Sequence, residues 1–170
     1  MADDRANVEI TQLVVEHHEA VYRYAYRLTG SVADAEDLTQ EVFLVAQERL
    51  EQLRKPESAR SWLLTILRNR FLKAAQRPQA VPATTVGLNL DALPVEVEDV
   101  DAVDGTRLQE ALNQLPAEFR VVVAMYYFED CSYREIAEKL DVPMGTVMSR
   151  LARAKAHLRS RLAEAAQPLS

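Results

Sequence analysis

Apolar residues recur along the chain in runs of helical period. Ile10, Leu13, Val14, Val21, Ala25 and Leu28 stand mostly three or four positions apart, the spacing of one buried stripe on a helix. They predict a helix over 7–29, stopped at Gly30. Ser31 or Asp34 can cap a second helix that runs to about Leu50. A third is expected from about Glu57, just after Pro56, to Arg77, just before Pro78. The texture then changes: residues 78–105 carry three prolines and two glycines and no clear period, the mark of a linker. Four more helices follow at about 106–114, 117–128, 132–140 and 144–163. Pro116 suits a first helical turn, and Ser132 with Glu135 makes a capping box.

These elements give an all-α chain: two small helical domains, 1–77 and 106–170, joined by a flexible acidic linker over 78–105. Fully extended, the linker reaches about 90 Å. Four glycines and 6% aromatic residues in 170 also favour helices over a β-sandwich. Cys131 is the sole cysteine, which excludes an intrachain disulfide. The longest apolar run, Val121 to Phe128, is too short to span a bilayer. The first ten residues are polar and acidic, so no secretory signal and a cytoplasmic setting are expected. No Ser/His/acid set, metal-ligand cluster, phosphate loop or cofactor fingerprint stands at usable spacing. No enzyme activity, metal or cofactor is expected, and the adjacent His17 and His18 are read as surface and edge residues of the first helix.

Charge divides the chain more sharply than its total of -6 implies. Residues 1–51 carry net -7, 52–77 net +6, 78–105 net -6, 106–141 net -3 and 142–170 net +4. Two basic blocks thus lie in an acidic frame, and basic blocks are the footprint of phosphate contact. The acidic parts would repel DNA unless a partner covered them. Solvated helix faces are the plainer reading of the same charges.

The segment SYREIAEKLDVPMGTVMSRLARAKAHLR reads as a helix-turn-helix. Ile136, Ala137 and Leu140 pack the first helix; Val147, Leu151, Ala154 and Leu158 give the second one buried stripe. Thr146, Ser149 and Arg153 cluster on the opposite side, beside Gly145 and Ala152. Small residues allow close approach to a groove, and hydroxyls and guanidinium groups can meet base edges. Arg150 and Lys155 flank this face and suit backbone positioning. In the second helix, Asp37, Gln40, Glu41 and Glu48 surround Leu44, opposite Leu38, Val42, Val45 and Ala46. That pattern suits a docking surface, or a solvated acidic face. In the third, Trp62, Thr65, Asn69, Lys73 and Gln76 share one side, while Leu63, Ile66, Leu67, Phe71 and Ala74 pack elsewhere. A ring, an amide and a cation in one row suit single-stranded DNA; a core tryptophan beside a solvated edge accounts for them equally well.

The order of these pieces resembles the extracytoplasmic-function group of the sigma-70 family of bacterial RNA polymerase sigma factors. DAEDLTQEVFLVAQERL resembles the family's core-binding helix. SARSWLLTILRNRFLKAAQR resembles the helix that melts and reads the downstream promoter element. LNQLPAEFRVVVAMYYFEDCSYREIAEKLDVPMGTVMSRLARAKAHL resembles the domain that reads the upstream element. The likeness covers about 10–77 and 106–163. It implies that Asp37, Gln40, Glu41 and Leu44 contact core RNA polymerase. It implies promoter DNA contacts by Trp62, Asn69, Arg70, Lys73 and Arg77 at the downstream element, and by Thr146, Ser149, Arg150, Arg153 and Lys155 at the upstream one. It also implies an anti-sigma factor as partner and no catalysis by the chain itself. A stand-alone helix-turn-helix regulator is the alternative. Leu53, Gln47, Lys73, Met148 and Ala152 depart from residues common at their positions. Asp130-Cys131 stands where a glycine and an apolar residue are usual, and Cys131 is read as a small buried hydrophobe.

Overall fold

A computed structural model of the chain describes residues 9–76 and 105–166. Within them are α1 (Ile10–Thr29), α2 (Val32–Glu48), α3 (Ala59–Ala75), α4 (Gly105–Asn113), α5 (Ala117–Tyr127), α6 (Tyr133–Leu140) and α7 (Met144–Ala166), and no strand. The chain divides into two compact units, Met1–Arg77 and Pro78–Ser170. The linker expected over 78–105 lies, but for the helical Gly105, outside the described residues, as do Arg77 and the expected start of the first helix at 7–8.

In the first unit α1, α2 and α3 pack on one another in pairs. Leu13, Val21, Ala25 and Leu28 of α1 meet Leu38, Val42, Val45 and Ala46 of α2 and Leu63, Ile66 and Leu67 of α3 in a closed apolar centre. Gly30 ends α1 at φ 70°, with its N–H on the Tyr26 carbonyl at 2.8 Å. Only glycine takes that conformation without a Cβ clash. Ser31 then caps α2, its hydroxyl accepting the Asp34 N–H at 3.3 Å.

Three expectations need correction here. The second helix begins after Ser31, one of its two expected caps, but ends at Glu48, two residues short of the expected end, and Leu50–Gln52 forms a separate 3₁₀ turn. The third begins with a 3₁₀ turn, Pro56–Ser58, before α3 proper. Ala74 is exposed rather than packed: the last turn of α3 runs past the buried positions of its neighbours.

In the second unit α4, α5 and α6 all pack on α7, and α5 also meets α6. Leu112, Leu115, Val121, Val122, Met125, Ile136, Val147, Leu151, Ala154 and Leu158 form its core. Ser132 caps α6 by accepting the Glu135 N–H at 3.1 Å while its hydroxyl donates to the Glu135 carboxylate at 3.2 Å. Pro116 occupies the position just before the first helical residue of α5 rather than the first turn itself. The last helix continues to Ala166, three residues beyond its expected end.

Candidate polymerase and nucleic-acid interfaces

On α2 the buried residues Ala35, Leu38, Thr39, Val42, Phe43, Val45 and Ala46 claim one side. Asp37, Gln40, Glu41 and Glu48 are exposed on the other. Leu44 stands among them, 62% exposed. Past the first turn, it is the one large apolar side chain of α2 itself that the core does not take.

Helix α3 lies against α2. Asn69 and Lys73 are exposed, Trp62 and Thr65 half-buried. The row expected on one side of this helix is thus graded, half-buried at Trp62 and Thr65 and exposed at Asn69 and Lys73. Arg70 is not independent of the acidic helix: its Nη1 donates to Glu41 Oε1 at 3.1 Å. Two residues assigned to different partners share one ion pair.

In the second unit Asp141, Val142 and Pro143 form a three-residue turn between α6 and α7. Val147, Leu151, Ala154 and Leu158 turn inward. Ser149 and Arg153 are exposed and Thr146 half-buried on the outer side. Nothing lies within 4 Å of where a Cβ would project at Gly145, so the backbone there is open to an approaching surface. Arg150 and Lys155 flank this face but are already engaged. Arg150 Nη2 lies 3.5 Å from Glu118 Oε2 on α5. Lys155 Nζ sits over the Tyr126 ring at 4.8 Å and the Tyr127 ring at 5.7 Å, where a cation is attracted to the ring face.

Residues 13–80 match the Sigma-70 region 2 family model, and residues 106–158 match Sigma-70, region 4. Among curated relatives, the ECF RNA polymerase sigma factor SigE of Mycolicibacterium smegmatis is 38% identical over 167 residues, covering 95% of this chain and 65% of SigE. The ECF RNA polymerase sigma factor SigL of Mycobacterium tuberculosis is 38% identical over 154 residues, covering 88% of this chain and 86% of SigL. The chain belongs to the ECF sigma factors of the sigma-70 family. The family's place is promoter-specific transcription initiation, and it is a family of sigma subunits rather than enzymes. The ECF RNA polymerase sigma factor SigW of Bacillus subtilis is 32% identical, covering 86% of this chain and 84% of SigW. Among solved structures, the sigma factor RpoE of Bartonella quintana, in a co-crystal with the anti-sigma factor NepR, overlays with a TM-score of 0.64. It is 24% identical and covers 90% of this chain and 96% of that one; it supports the fold.

Several features of this sigma factor escaped the sequence. Arg68 is 2% exposed and its Nη2 donates to Thr65 Oγ1 at 3.1 Å; it is an internal strut of α3, although it stands in the basic block. The Glu41–Arg70 and Arg150–Glu118 pairs join residues 29 and 32 positions apart. Nothing in local periodicity signals such pairs. His18, expected on the surface, is exposed but stacks near Phe43, ring centroids 6.2 Å apart. Cys131 is buried, as expected; what the sequence did not show is that its thiol reaches the Glu129 carbonyl at 3.9 Å and accepts from Lys139 Nζ at 3.8 Å. Among the described residues no helix is long and apolar enough to cross a membrane. No group of three or more His, Cys, Asp or Glu among them is placed to hold a metal ion.

Proposed function

We propose that this sigma factor docks on core RNA polymerase through the outer face of α2, and that its basic helices then engage promoter DNA. Asp37, Gln40, Glu41 and Leu44 are the polymerase contacts. Trp62, Asn69, Arg70, Lys73 and Arg77 act at the downstream element in the domain 1–77. Thr146, Ser149, Arg150, Arg153 and Lys155 act at the upstream element in the domain 106–170. The acidic linker 78–105 lets the two span both elements. The chain acts in the cytoplasm, uses no cofactor and performs no catalysis of its own. Its surfaces are open to an anti-sigma factor, as RpoE of Bartonella quintana is held by NepR.

The observation that carries this reading is Leu44. A leucine left in water at the centre of an acidic face gains nothing for the fold. Covering it with a partner removes apolar area from water, which is favourable by roughly 25 cal/mol per Å². The Glu41–Arg70 pair adds a reason for the order of events. Exposed pairs are worth about 0–1 kcal/mol, so a partner that takes Glu41 releases Arg70 for phosphate at small cost.

The test compares two substitutions on one helix. Leu44→Ala leaves the melting temperature unchanged and weakens association with core polymerase in a direct binding assay. Leu38→Ala, on the buried side, lowers stability by about 2–5 kcal/mol. Asp37→Ala is expected to weaken polymerase association, and Arg153→Ala to weaken choice at the upstream element. Polymerase association untouched by both Leu44→Ala and Asp37→Ala would contradict the docking face. Tight specific promoter binding by the free chain in a gel shift would favour a stand-alone regulator instead.

A further inference from the structure

The first two turns of α7 carry two large apolar side chains that the fold does not bury. Met144 is 48% exposed and Met148 is 50% exposed. Four residues apart, they lie about 40° apart around the helix, on one edge of its outer side. Ala152, again four residues on and half-buried, continues that edge. Thr146 and Arg153 occupy the other edge, and Ser149 lies between. The outer side of α7 thus has a hydroxyl and guanidinium edge and an apolar edge. Gly145, with open space where its Cβ would project, stands beside the methionines.

The major groove has one apolar handle, the C5-methyl group of thymine. The early residues of a recognition helix are those that reach base edges. An unbranched thioether adapts its shape to such a contact, and the absent Cβ at Gly145 lets the helix come close. We propose that Met148, with Met144 alongside, packs on the C5-methyl of a thymine in the upstream promoter element and is a specificity-determining residue for it. The inference rests on the reading of α7 as the promoter-reading helix. It adds thymine selection to the polar contacts assigned to Thr146, Ser149 and Arg153.

The experiment uses the chain assembled with core RNA polymerase. An upstream element is first selected from templates randomised in that region. Each of its thymines, on either strand, is then replaced in turn by deoxyuridine, which lacks only the methyl group. At one position the unsubstituted holoenzyme should bind the uracil template about fourfold more weakly, the loss of one buried methyl. Met148→Ala, at an exposed position, should bind the two templates equally, whereas Met148→Leu should keep part of the difference. Three results would overturn the inference: no thymine at which uracil matters, a full uracil effect in Met148→Ala, or a loss of core association in Met148→Ala without DNA. The last would place Met148 against protein. Failure to select any upstream element would overturn the reading of α7 itself, and the inference with it.

Discussion

Asp130 and Asp141 both take φ 52°, in the left-handed region. Each ends a helix. Past α5, the Cys131 N–H turns back to the Met125 carbonyl at 3.0 Å; past α6, the Val142 N–H reaches the Ala137 carbonyl at 3.1 Å. Each bond closes over a left-handed aspartate, a conformation in which a Cβ costs about 1–2 kcal/mol and aspartate somewhat less. That is why a glycine suits the position of Asp130. Asp130→Gly should therefore raise stability by about 0.5–1 kcal/mol, part of the gain being offset by the freer unfolded chain; a thermal melt checks it. His157 carries a second prediction at this scale. It is 7% exposed, and its Nε2 has no hydrogen-bond partner. Burial, then the Arg161 guanidinium, hold its pKa below the ordinary value, against opposing effects of the Ala111 backbone and Glu164. The unfolded chain then binds the proton more readily than the folded one. The stability given by the neutral ring is complete above the unfolded value of about 6.5 and is lost as pH falls through the lower folded value. Unfolding measured between pH 7.5 and 5 should show the loss, and His157→Gln should flatten it.

At the scale of elements, Gly145 separates fold from function. It is the second residue of α7, in the first turn, where glycine is still less favourable than alanine, and the open space around it shows no internal need for it. Gly145→Ala should leave the isolated chain as stable or more so, and weaken holoenzyme binding to the upstream element in titrations with promoter DNA. Unchanged promoter affinity would contradict a close approach there. The helices themselves were legible because each buries one stripe: Leu38, Val42 and Val45, or Val147, Leu151 and Leu158, repeat at the helical period and are buried. The ends were less legible. The 3₁₀ turns at Leu50–Gln52 and Pro56–Ser58 bury no residue, so no apolar stripe marks them. Which charges are free was not legible at all. Arg68, Arg70, Arg150 and Lys155 look alike in a basic block. One is buried, two are ion-paired and one sits on tyrosine rings.

Over the whole molecule, a chain of net charge -6 carries its positive charge in two blocks, 52–77 and 142–170. Free in solution, its acidic stretches oppose approach to a polyanion, and part of its positive charge is spent on Glu41, Glu118 and two tyrosines. On the proposed docking, occupation of the α2 face would remove one source of repulsion and free Arg70. Promoter affinity should therefore depend on polymerase far more than on the chain's own basic residues. The most direct measurement is promoter binding by the chain with and without core RNA polymerase, at matched salt, beside core alone. The account predicts weak, salt-sensitive, sequence-indifferent binding by the free chain, and specific binding with redirected transcription start sites once core is added. Equal specific affinity without core, or core joined by the chain yet starting transcription where it does alone, would contradict it.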